Sequence, residues 1–432
     1  MTSPSVFSRR TFLASSGLAA ATAALMYAAP GAPADPMRRG AHGDRPSPVR
    51  LRLPPPTGPY PVGTTEVPLV DRSRRDPWQP GRPRELMASV WYPARGAGGH
   101  TLAPHMRRGV AERFATARAP GFGVPEGTVD WAATRTHAYA GAPPDTRGGP
   151  RPVLLYSPGT GDPRTWGTVL VEELASRGYV VVTLDHTYES PAVQFPDASV
   201  KGNEPMLAEF EEAQRNGTVP ALLEKVLRVR VDDLRFVLDA CERAVRQGGG
   251  APRTDSPLAR LAPVMDLSRV GVLGHSAGGT TAAQGMYEDR RLRAGVNLDG
   301  TLEYNQEPNG TNLMPVARHG LDRPFLLMGR DGSNHTTEPS WRAFWSHTRG
   351  WHRDLTLRRG KHQSYADLEA LLPQTGVPRE VLEDAVGTVD PVRAVAAVRA
   401  YTTSFFDRWL LGRDDGLLDG PSPRHPDVAF VP

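Results

Sequence analysis

From Arg151 onward the chain alternates short, unbroken apolar runs with stretches of helical periodicity, and few architectures accept that pattern. "RPVLLYSPG" is followed by a helical "GTVLVEELASRGY", and "YVVVTLDH" comes next. Over 222–241, Leu223, Val226, Leu227, Leu234, Val237, Leu238 and Cys241 recur at three- and four-residue steps and mark one face of a helix. "RVGVLGHS" leads into the helical "AGGTTAAQGMYE", and "RAGVNLDG", "RPFLLMGRDG" and "RDLTLRRGKH" add three more runs. Asp390 and Pro391 form an N-cap and first-turn pair, with Val395, Val398, Phe405 and Trp409 on one stripe behind them. A strand apolar at every position is buried on both faces, so the expected fold class is α/β, a mostly parallel central sheet with helices on both sides. Such sheets bind ligands at the carboxyl edge of their strands.

The organisation before and within this pattern is less regular. Residues 8–34 place Arg9 and Arg10 before an Ala-rich apolar stretch and end in an A-x-A pattern at Ala32 and Ala34. That layout reads as a secretory signal over 1–34, and the paired arginines before Thr11-Phe12-Leu13 as one of twin-arginine type, with the corresponding export machinery as its partner. The protein is then expected to be secreted or extracytoplasmic. Residues 35–60 are Pro-, Gly- and Arg-rich, an arm that is mobile or wrapped over the surface. The remainder, 61–432, reads as a single catalytic domain. "ELMASVWYPA" (85–94) is a strand by composition, and 95–150 shows no clear periodicity. The stretch 187–221 interrupts the alternation, either as a lid over the carboxyl edge or as a surface insertion.

Composition excludes several function classes. The formal charge is +4, of which Arg9 and Arg10 supply two, and no basic run interleaved with aromatics points to nucleic acid. A single cysteine, Cys241, rules out an intrachain disulfide or a thiolate cluster. No H-E-x-x-H pattern is present, so neither a metal nor an organic cofactor is expected.

The chemistry is concentrated at Gly274-His275-Ser276-Ala277-Gly278, which fits G-x-S-x-G. This spacing serves a sharp turn between strand and helix, where small residues let the two cross and the serine hydroxyl is presented at the helix N-terminus. "RVGVL" before it and a helical run after it supply that context. A serine hydroxyl needs a base. Of twelve histidines, His362 in "RGKHQSYADL" follows the last strand and is the candidate base. His275 is expected to point away, and His335, His347 and His352 to sit in packing or at the surface. Asp299 and Asp331 each end a strand at the correct edge, and both stay open as the acid. An oxyanion hole needs two amides, one from Ala277 and one from the loop after an early strand. "YSPGTGDPRTW" (156–166) supplies such a loop, with the Thr160 amide as donor. Trp131, Trp166 and Tyr188 either line a cleft or belong to the core.

Together "YSPGTG", "GHSAGG", "GVNLDG" and "KHQSYADL" resemble the α/β-hydrolase superfamily and, within it, the plasma-type platelet-activating-factor acetylhydrolase family. The resemblance runs from about Met87 to Trp409 and is dense near these motifs. It implies the α/β-hydrolase fold, and it favours Asp299, 23 residues past Ser276, over Asp331. Pro158 departs from the family, whose turn usually has a histidine there. The resemblance implies a serine esterase with a Ser276–His362–Asp299 triad, acting on short-chain or oxidised acyl esters of phospholipids, with transient contact to a lipid surface. A general secreted lipase or a cutinase-like polyester hydrolase is the alternative, and a non-catalytic binding protein on the same fold is the alternative of another class.

Overall fold

The computed structural model describes residues 47–247 and 256–432. The apolar runs form six adjacent parallel strands: β5 (Arg151–Ser157), β6 (Val180–Asp185), β9 (Met265–His275), β10 (Leu292–Leu298), β11 (Phe325–Arg330) and β12 (His352–Leu357), ordered β12-β11-β10-β9-β5-β6. Beyond β6 the sheet continues through β2 (Pro83–Pro93), β1 (Val62–Arg75), β4 (Arg135–Ala140) and β3 (Leu102–Pro104). β13 (Val428–Phe430) pairs antiparallel on the far edge of β12. A separate hairpin pairs β7 (Val193–Gln194) with β8 (Val200–Lys201).

Strand period and burial explain the layers. Along β5, Val153 and Leu155 enter one core while Leu154 and Tyr156 enter the other, because successive side chains face opposite ways. The first core is closed by α4 (Val219–Gln247) and α5 (Ala277–Glu288), through residues such as Leu234, Leu238, Ala282 and Met286. The second is closed by α2 (Thr168–Ser176) and α6 (Pro391–Leu411), through Leu170, Leu174, Tyr401 and Phe405. Each large side chain so buried contributes about 1.5–3 kcal/mol, which is why apolar content on both faces of these strands selects this architecture. Cys241 lies fully buried on α4 in the first core, and burial pushes its thiol up to about 12. α6 starts as expected, the Asp390 carboxylate accepting a 2.9 Å bond from the Arg393 amide, and ends at Gly412 in the left-handed region.

Residues 95–150 hold more regular structure than their sequence pattern suggests. They contribute β3, α1 (Arg108–Ala117) and β4, and Phe114 and Trp131 of this region pack against Trp166. Residues 47–60 wrap over the surface as a strap. Leu51 and Leu53 are buried, and the Arg399 guanidinium of α6 donates to the Pro54 and Pro55 carbonyls at 3.1 and 2.9 Å. The signal expected over 1–34, and the arm as far as residue 46, lie outside the described residues. Within 187–221, the β7–β8 hairpin is followed by α3 (Glu204–Asn216), whose Met206, Phe210 and Ala213 pack with Trp78 and the first turns of α4.

Candidate active site

β9 carries Gly274-His275 straight into Ser276, which stands at φ 56 and ψ −127 as the N-cap of α5. A non-glycine residue avoids that region unless its surroundings over-determine it. Here they do. A Cβ on Gly278 would collide with the Ser157 carbonyl of β5, and one on Gly274 would collide with Gly278 and Ser157 together. Only glycines at those two positions let the start of α5 cross β9 and β5 so closely. The Ser276 amide is tied to the Leu298 carbonyl at the end of β10 by a 2.8 Å bond. Its hydroxyl makes no capping bond to α5.

One strand over, Asp299 follows β10 and also has a positive φ, 57, with its amide on the Met328 carbonyl of β11. His362 follows β12 and a tight turn. Its Nδ1 lies 2.6 Å from Asp299 Oδ2. A carboxylate can only accept, so Nδ1 carries a proton, and in the neutral imidazole the lone pair is on Nε2. Arg330, the last residue of β11, completes the acid: its amide donates to Asp299 Oδ1 at 3.0 Å and its Nη1 to Oδ2 at 2.9 Å. Burial alone would raise the Asp299 carboxyl, but the Arg330 guanidinium and then His362 outweigh it and hold the group well below the usual carboxylate range.

Asp331, the other strand-end carboxylate, is exposed and accepts from the Arg359 amide at 3.0 Å, so it braces a turn and is not brought to His362. His275, expected to point away, closes on the histidine segment instead. Its Nε2 donates to the His362 carbonyl at 2.8 Å, and the two rings lie 4.6 Å apart. Burial, followed by the neighbouring His362, pushes the His275 imidazole down to about 4, so it is neutral at pH 7.

The loop after β5 runs beside the elbow. A Cβ placed on Gly159 would stand 3.4 Å from Ser276 Cβ, so Gly159 packs against the serine. Among the described residues, neither the Thr160 nor the Ala277 amide donates to a protein acceptor. Trp131, Trp166 and Tyr188 are buried packing residues: the first two share one cluster and Tyr188 packs with Trp78 and Met206. Two participants escaped the sequence pattern, Arg330 and the ring of His275. The first was signalled only by a basic residue directly before a strand-end acid.

Comparison with known proteins follows the same residues. The family model for platelet-activating factor acetylhydrolase, isoform II, matches residues 49–316, a span that holds Thr160, Ser276 and Asp299. A probable 1-alkyl-2-acetylglycerophosphocholine esterase of Arthroderma benhamiae is 29% identical over 407 residues, 89% of this chain and 95% of that protein. A platelet-activating factor acetylhydrolase of Gallus gallus is 24% identical over 301 residues, 63% of this chain and 66% of that one. Among solved structures, a ferulic acid esterase from Streptomyces cinnamoneus superposes with a TM-score of 0.69 at 35% identity, covering 88% of this chain and 99% of its own.

Proposed function

Since the chain belongs to the platelet-activating factor acetylhydrolase isoform II family and is a carboxylic ester hydrolase, we propose that it acts through an acyl-enzyme on Ser276. The observation that carries this reading is the 2.6 Å His362–Asp299 pair beside a strained serine at a helix N-terminus. His362 Nε2 takes the Ser276 hydroxyl proton as the oxygen attacks the ester carbonyl. Asp299 fixes the Nδ1–H tautomer and stabilises the imidazolium, and Arg330 keeps Asp299 ionised. The tetrahedral oxyanion is held by the Thr160 and Ala277 amides, with the N-terminus of α5 behind them. His362 then protonates the departing alkoxide, and water repeats the sequence on the acyl-enzyme to release the acid and restore Ser276.

The substrate class we assign is short-chain or oxidised acyl esters of phospholipids, supported by the family and by the name of the Arthroderma benhamiae relative. A second reading, an aromatic acyl ester, is favoured by the likeness to the ferulic acid esterase over nearly the whole chain. Hydrolysis of p-nitrophenyl esters from acetyl to palmitoyl, alongside methyl ferulate, separates the two, with Ser276→Ala as the blank. Preference for acetyl supports the first and preference for ferulate the second. Rates that rise with chain length point to a lipase or polyester hydrolase and remove both. The reading includes export through residues 8–34. Replacing Arg9 and Arg10 by lysine then retains the protein in the cytoplasm, and the exported form begins after Ala34.

A further inference from the structure

The loop proposed to donate the Thr160 amide is poorly suited to hold a single conformation by itself. Thr160 stands between Gly159 and Gly161, and Gly161 has φ 77. Glycines on both sides make rotation of a peptide plane easy. A trans peptide is planar, so the Gly159 carbonyl and the Thr160 N–H point in opposite directions. Turning that plane over would replace the donor with a carbonyl oxygen, which repels an oxyanion.

One buried side chain opposes this rotation. Arg230, on α4, is 1% exposed. Its Nη1 donates to the Pro158 carbonyl at 2.8 Å and its Nη2 to the Gly159 carbonyl at 3.2 Å. The guanidinium thus pins two consecutive peptide planes by their carbonyls. Its own plane is set by Glu189, whose Oε2 accepts from Nε at 2.6 Å with both side chains 1% exposed. Glu189 lies in the turn after β6, its amide on the His186 carbonyl. The loop's first residue, Ser157, is held by a 2.9 Å bond between its Oγ and His186 Nε2 and by a longer, 3.4 Å bond that Arg230 Nη1 donates to the same Oγ.

We propose that Arg230, oriented by Glu189, is a positioning residue that locks the Gly159–Thr160 peptide with its N–H toward Ser276, and so preforms half of the oxyanion hole. The role rests on the oxyanion reading given above. It asks for arginine specifically, because a lysine ammonium keeps the charge but cannot present two parallel donors while binding a carboxylate edge-on.

The test uses Arg230→Lys and Glu189→Gln in the full-length enzyme, with Ser276→Ala beside them. Arg230→Lys is expected to lower kcat for p-nitrophenyl acetate by about 10²-fold, the size of losing one oxyanion donor, while KM stays within about twofold. The inhibition constant of a trifluoromethyl ketone, whose serine adduct carries an oxyanion, rises by the same factor. Glu189→Gln retains Arg230 and an acceptor oxygen, so it shifts both quantities in the same direction by about 10-fold, and it carries the test alone if Arg230→Lys does not fold. A purely structural role lowers the amount of active enzyme and leaves the inhibition constant of the remainder unchanged, and that result overturns the proposal. So does unchanged kcat in both variants while Ser276→Ala is inactive. If Ser276→Ala itself turns over like the parent, the acyl-enzyme reading has failed and not merely the role of Arg230.

Discussion

Two serine–histidine–aspartate sets stand at the carboxyl edge of this sheet, and they differ in setting. In one, Ser157 Oγ lies 2.9 Å from His186 Nε2, and His186 Nδ1 lies 3.1 Å from Asp233 Oδ2. In the other, His362 Nδ1 lies 2.6 Å from Asp299 beside Ser276. Both acids are backed by arginine, Asp233 by Arg84 and Arg74, Asp299 by Arg330. Both are held below the usual carboxylate range despite burial, Asp233 chiefly by Arg84. Burial does not separate them either, since Ser157 is 0% and Ser276 2% exposed. The backbone does. Ser157 ends a regular strand with its carbonyl under the first turn of α5, whereas Ser276 occupies the strained turn itself, with the helix N-terminus and Gly159 around it. His186 is lowered by burial and then by the Arg230 charge, so it is poorly disposed to take a proton. On the proposed function, the three side-chain types make a reactive site where a turn and free amides accompany them. Elsewhere they make a brace.

The strongest test of that contrast is covalent. A fluorophosphonate is expected to label the peptide containing Ser276 and leave the one containing Ser157 unmodified, as read by mass spectrometry. Ser276→Ala is expected to cost about 10⁴–10⁶-fold in kcat/KM. Label on Ser157 would erase the distinction. Next come the acids. Asp299→Asn favours the wrong His362 tautomer and is expected to lower kcat about 10⁴-fold, while Asp331→Asn changes it by less than about twofold. Comparable losses in steady-state kinetics would put both carboxylates in the reaction.

The braced set should answer in stability. Asp233→Asn breaks a fully buried pair with Arg84 and is expected to cost about 3–5 kcal/mol in denaturant unfolding, with kcat per folded molecule down by less than about 10-fold. Because the folded-state Asp233 carboxyl is depressed, its stabilisation is complete above the ordinary carboxylate range and is lost as pH falls from about 4 toward the folded value. The parent should therefore lose stability on acidification more steeply than the Asn variant, and parallel pH profiles would contradict this. The smallest effect lies behind Asp299. Glu338 shares a cavity with Asp299 and Arg330, and burial, only partly offset by its bonds to Ser340 and Trp341, raises its carboxyl to about 7. A raised carboxyl contributes stability while protonated and loses it as pH rises through that value. Glu338→Gln is thus expected to raise Tm at pH 8 by about 2–4 °C and to leave it nearly unchanged at pH 5. Equal shifts at both pH values would count against a titrating Glu338.

How much of this was readable in the sequence follows from the range of the interactions. Most of the six parallel strands were legible because their central residues are apolar on both faces; β12, "HRDLTL", carries that signal only in part. β1 was not, because "VGTTEVPLVDRSRR" mixes buried and exposed positions with a proline and four charges near one end. Ser276 and His362 were legible from local pattern, the elbow and the segment after the last strand. Asp299 and Asp331 looked alike in the residue pattern, since each directly follows a strand; the family resemblance favoured Asp299, and in the fold His362 meets Asp299 while Asp331 holds the Arg359 amide. Arg230 carried no local signal. It reaches a carbonyl 71 residues away from a helix whose apolar face gives no hint of what its arginine binds.

The strap over residues 47–60 bears on how the chain is made. Arg399 grips carbonyls more than 340 positions earlier, and Leu51 and Leu53 stay wet until the partners beneath them exist. A ribosome releases the strap long before it releases α6. A segment that leaves the tunnel early is therefore among the last to dock, and completion of this fold is timed by the end of translation, not by its beginning.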